Sequence, residues 1–187
     1  MANKDSAFGL RPIGKVGQNR DNQGLSEYDI AASASAIFQN DPVEMAATGT
    51  ITVAAATDTL LGSLTGVFFT DASTSKPTFA NHLKASNTAT DIKGFVSDDP
   101  YERFEIQSDG ATAAADVGLN ADIVYASGAS PNFVSKVELD HSDLKTATAQ
   151  LRVLAISKDI ENNEAGSANV NLVVMINEHF LKGTTGI

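Results

Sequence analysis

Val170-Asn171-Leu172-Val173-Val174-Met175-Ile176-Asn177 is the stretch that decides the fold class. Its apolar run is bounded by polar residues and falls far short of the ~20 residues a membrane span needs. At this length it fits a buried core strand. Upstream, Leu151-Arg152-Val153-Leu154-Ala155-Ile156 has the same texture, and Val134-Ser135-Lys136-Val137-Glu138-Leu139 alternates with period 2. Ile123-Val124-Tyr125, Phe104-Glu105-Ile106-Gln107 and Gly94-Phe95-Val96-Ser97 continue it toward the N-terminus. Further strands are expected at Ser26-Glu27-Tyr28-Asp29-Ile30, Ser35-Ala36-Ile37-Phe38, Val43-Glu44-Met45 and Thr50-Ile51-Thr52-Val53. Two glycines within Leu60-Leu61-Gly62-Ser63-Leu64-Thr65-Gly66-Val67-Phe68-Phe69 suggest a bend or bulge between two strand pieces.

Short strands separated by Gly, Pro, Asn, Asp and Ser point to a mainly β protein. Its architecture is expected to be an antiparallel β-barrel or β-sandwich. Only Thr112-Ala113-Ala114-Ala115-Asp116 and Ser142-Asp143-Leu144-Lys145 look helical, with Asp140 or Ser142 as cap of the second. Residues 1–24 carry Lys4, Arg11, Lys15 and Arg20 among glycines and show little apolar periodicity, so they read as an extended N-terminal arm. Residues 25–187 then form a single β-rich domain, with a polar surface excursion at about 70–93.

Composition narrows the function. The chain has 187 residues, 13 basic against 23 acidic, and a net charge of −10. That balance argues against nucleic acid and anionic membranes as main partners. There is no cysteine, which removes disulfides, thiolate catalysis and iron–sulfur clusters together. Met1-Ala2-Asn3-Lys4-Asp5 has no apolar h-region, so no signal peptide is expected. No phosphate-cradling glycine motif and no nucleophile elbow occurs.

Two polar clusters are candidate chemistry. Asp140-His141-Ser142-Asp143 places an imidazole among carboxylates, the donor types an acid–base or metal site needs. A polar turn whose Asp and Ser bond the backbone is the competing reading. Asp98-Asp99-Pro100 offers two carboxylates to a cation only if they sit in a turn, where they serve equally as caps. No cofactor is expected from either cluster.

Ser6-Ala7-Phe8-Gly9-Leu10-Arg11-Pro12-Ile13 resembles the opening of small virion structural proteins of tailed bacteriophages, especially marine and cyanobacterial ones. Gly94-Phe95-Val96-Ser97-Asp98-Asp99-Pro100, Phe104-Glu105-Ile106-Gln107, Asp116-Val117-Gly118-Leu119-Asn120 and Thr185-Gly186-Ile187 are similar to that group in order and spacing. The resemblance implies a non-enzymatic capsid decoration (cement) protein on the outer surface of the virion head. Its partners would be the major capsid protein and further copies of itself as a homodimer or homotrimer. The arm would then contact the shell through Phe8, Leu10, Arg11, Pro12 and Ile13. Alternatives are a minor tail or neck part, a carbohydrate-binding virion module, or a small β-barrel metal-dependent hydrolase using His141 with Asp140 and Asp143.

Overall fold

The computed structural model describes residues 2–17 and 24–183. The strands are Arg11–Lys15 (β1), Ser26–Asp29 (β2), Pro42–Met45 (β3), Ile51–Val53 (β4), Leu60–Thr70 (β5), Pro77–Ala80 (β6) and Lys93–Ser97 (β7). They continue with Glu102–Gln107 (β8), Asn120–Ala121 (β9), Ile123–Val124 (β10), Glu138–Leu139 (β11), Leu151–Ile156 (β12) and Asn171–Ile176 (β13). The protein is thus mainly β, and every pairing between these strands is antiparallel. Three sheets form among the described residues, and neither of the larger two closes into a barrel.

The first sheet runs β1-β8-β13-β12-β9. Alternate residues of its strands turn Phe104, Ile106, Leu151, Val153, Leu172, Val174 and Ile176 into one core. The ribbon β10–β11 adds Ile123 and Leu139 to that core. The second sheet runs β2-β7-β5-β3-β4, with β6 on the other edge of β5. It carries a separate core of Val43, Ile51, Leu61, Leu64, Val67 and Val96. Neighbours on a strand point opposite ways, so Leu60 joins the first core and Leu61 the second.

The glycine signal in β5 resolves as one strand with a register shift between Leu64 and Gly66. Gly62 is a close-approach position: a Cβ there would sit 2.2 Å from the Ser97 carbonyl oxygen. Both expected helices are single 3-10 turns, Ala114–Asp116 and His141–Asp143. A third, Phe180–Lys182, was not expected; His179 Nδ1 caps it by accepting from the Leu181 amide at 3.1 Å. Residues 35–38 make no strand but meet Leu83 through a bridge at Ile37.

Two boundaries need correction. Residues 2–17 are part of the body, not a free arm. Leu10 is fully buried in the first core, and β1 pairs with β8. The Leu10 amide donates to Asn40 O at 2.8 Å, and Ser63 Oγ donates to Leu10 O at 2.6 Å. Further upstream, the Lys4 amide donates to Asn162 Oδ1 and the Ser6 amide to Gln107 Oε1. The segment is low in apolar residues because buried amide side chains of the body satisfy its backbone. Gln18–Gln23, the rest of the expected arm, lie outside the described residues, as does Thr185-Gly186-Ile187. The 70–93 excursion is likewise anchored: β6 pairs with β5, and Leu83, Ala89 and Ile92 enter the second core.

Candidate functional site

The first sheet has one face on its core and one face open. Register places Arg11, Glu105, Val173 and Ala155 in one cross-strand row on the open face. Gly14, Arg103, Met175 and Arg152 form the next row. At one end, Gln107 and Asn171 would continue this face, but residues 3–6 and the 157–169 loop cover them. Gln107 Nε2 donates to Lys4 O at 3.0 Å, and Asn162 Nδ2 donates to the same oxygen at 2.8 Å. Among the described residues the rest is uncovered, a groove of about 990 Å³ with Ile13, Tyr101, Leu154, Ile156, Val173 and Met175 in its lining. Ile13 is 46% exposed and Tyr101 51%. An apolar strand face in an antiparallel sheet that no described residue covers has the physical character of an interaction surface.

Charge is arranged around this floor. Arg11 pairs with the buried Glu105, which also accepts from Ser157 Oγ. Lys15 pairs with Asp99 at 2.8 Å. Arg103, Arg152, Lys158 and Lys182 have no carboxylate at ion-pair distance among the described residues. Arg103 Nε is buried without a hydrogen-bond partner. Arg152 Nε donates to Asn120 Oδ1, and Lys182 Nζ stands 4.8 Å over the Tyr101 ring. Burial holds the Lys182 ammonium below its usual pKa, and repulsion from Arg152 adds to this while Asp99 opposes it.

The residues expected to contact a partner divide between inside and outside. Leu10 belongs to the core and offers nothing to a ligand. Phe8 is half-buried, with the Arg11 guanidinium 4.4 Å over its ring. Pro12 lies opposite Phe104, and Ile13 lines the groove. Tyr101, Arg103, Leu154, Val173 and Met175 complete the surface, and sequence reasoning missed them as site residues. Their signal was present in β13: a strand apolar on both faces needs a cover on both, and antiparallel sheets commonly supply only one.

The two polar clusters have structural work. Asp140 Oδ1 accepts from the Ser142 amide at 2.8 Å, and Asp143 binds Lys145 and the Asp122 amide. The His141 amide donates to Asp109. Asp98 accepts from Ser26 Oγ and from the Tyr28 hydroxyl at 2.6 Å. Burial, then that bond to Asp98, pushes the Tyr28 phenol up to about 12. Asp99 accepts from the Tyr101 amide and closes the turn. Among the described residues no three His, Cys, Asp or Glu side chains are grouped to hold a metal ion, and no helix is long and apolar enough to cross a membrane. Comparison with known families, curated proteins and solved structures finds no match to this chain.

Proposed function

We propose that the chain is a non-enzymatic decoration protein of tailed-phage heads, which docks on the outer surface of the assembled capsid and stabilises it. The observation that supports this most is the apolar groove on the first sheet that no described residue covers, with Ile13 in its lining and Arg11 paired to the lining residue Glu105. The major capsid protein would cover that face, and further copies of the chain would add contacts as a homodimer or homotrimer. Neither nucleic acid nor membrane enters this reading, which suits a chain of net charge −10 on the outside of a head. The matching fold reading is a sandwich, because each large sheet keeps free edges. A protein that binds only the assembled shell stabilises it by mass action. Repeated copies add avidity.

Copy number in purified particles tests the role, measured by quantitative mass spectrometry against the most abundant shell protein. A ratio within a few-fold of one to one is expected. A trace ratio would assign the chain to the neck or tail, and absence from particles would overturn the virion reading altogether.

A further inference from the structure

Resting on the reading of the chain as a shell-binding protein, we propose that the groove of the first sheet takes an acidic, extended segment of the shell protein. An apolar side chain of that segment sits on Met175 and Val173, and its carboxylates meet Arg103, Arg152, Lys158 and Lys182. Charge complementarity carries the assignment. In a chain of net charge −10, Arg103 and Lys158 line the apolar floor, Arg152 lies opposite Met175 and Lys182 stands over Tyr101, and none of the four has a carboxylate at ion-pair distance among the described residues. Elsewhere Lys4, Lys93 and Lys145 each hold a carboxylate of the chain itself, and Lys76, Lys84 and Lys136, which hold none among the described residues, do not line this groove. Arg103 also carries a buried Nε with no hydrogen-bond partner among the described residues.

Two other occupants fit less well. A second copy docked face to face would set these cations against their own symmetry mates. Single-stranded nucleic acid wants stacking platforms, and Tyr101 is the one aromatic residue in this lining.

The test uses the full chain and fluorescence anisotropy with labelled probes of about ten residues, an extended segment of groove length. One probe combines Leu and Val with Glu; its counterparts replace Glu by Gln, Glu by Lys, or Leu and Val by Ser. The Leu/Val/Glu probe is expected to bind at least about tenfold more tightly than each counterpart and to weaken with added salt. Met175→Glu and Arg103→Gln should each weaken it by about tenfold or more. Should Arg103→Gln lower the melting temperature, the exposed Lys158→Glu and Arg152→Glu carry the charge test. Lys84→Gln, away from the groove, should change nothing.

Equal binding of the Glu and Gln probes, tighter binding of an oligothymidylate, or no binding at all overturns the proposal. So does a dimer in sedimentation that Met175→Glu dissolves and the acidic probe does not. The shell reading fails separately: the acidic probe binds as expected, yet the protein does not co-sediment with purified heads.

Discussion

The outer faces of the two large sheets are built from similar materials and finished differently. On the second sheet, Phe79 is 74% exposed, but it packs against Phe68 at 4.8 Å and Phe95 at 6.4 Å between ring centroids. Lys93 on the same face reaches both Asp29 and Glu27. Its aromatic and charged groups therefore satisfy one another within the chain. On the first sheet, no described residue lies over Val173, Met175 and Leu154, and Arg103 and Lys158 in the same lining have no carboxylate at ion-pair distance among the described residues. Exposure of one side chain thus identifies no partner surface. The informative feature is an apolar floor and a charged rim left incomplete together.

The largest expected effect concerns how the first sheet is completed. Leu10→Ala should destabilise the protein by about 2–5 kcal/mol in denaturant unfolding, the usual range for a buried leucine. Deleting residues 2–17 should abolish cooperative unfolding of the first sheet, because β1 and Leu10 go with them. A deletion protein that melts like the parent would restore the free-arm reading.

The next effect sets one buried titratable group against another. Asp41, just before β3, is fully buried and its carboxyl is pushed up to about 6 by burial. A raised carboxyl costs stability above its folded pKa and none below the ordinary value near 3.8. His179, following β13, is also buried, and burial presses its imidazole down to about 4. Stability from that histidine is present above about 6.5 and is lost as pH falls toward 4. Each contribution is at most about 3 kcal/mol. Their slopes oppose one another between pH 6 and 4. Relative to the parent, Asp41→Asn should therefore lose stability on acidification through this window, and His179→Gln should gain it. Variants that both track the parent curve would show that neither group titrates as buried.

Smaller effects sharpen the contrast between faces. Met175→Glu should remove shell association while shifting the melting temperature little, since Met175 is only half-buried. Phe79→Ser should leave shell association intact and cost stability through lost ring contacts, by about 1 kcal/mol. Least of all, Lys93→Gln should change neither binding nor melting measurably, as exposed ion pairs contribute little.

Much of the β architecture was legible because period 2 survives in burial. Ser135, Val137 and Leu139 are buried while Lys136 is exposed, although only Glu138–Leu139 pairs as a strand. The bulge in β5 was visible in its glycines and the cap of the second turn in Asp140. The N-terminal segment was not legible. The side chains that hold residues 4–6, Gln107 and Asn162, lie about a hundred residues or more away, and local composition carries no trace of them. The groove was half legible: Ile13 stood out as an isolated apolar residue. Val173 and Met175 were hidden within a run that reads as wholly buried.

The second sheet is drawn entirely from residues 26–97, whereas the first joins β1 to strands from 102 onward. During synthesis, the second sheet can therefore close while the chain is still short. β1 must wait for its neighbour β8 to emerge, and the first sheet fills out only once β13 follows. Closing that longer loop costs more chain entropy and slows the step. Pulse-labelled hydrogen exchange should find the Phe95 and Val96 amides protected before those of Val174 and Ile176. Simultaneous protection would mean that the sheets form as one unit. In the expected order, the surface offered to a partner is the last part of the molecule to exist, and a half-made chain presents no groove.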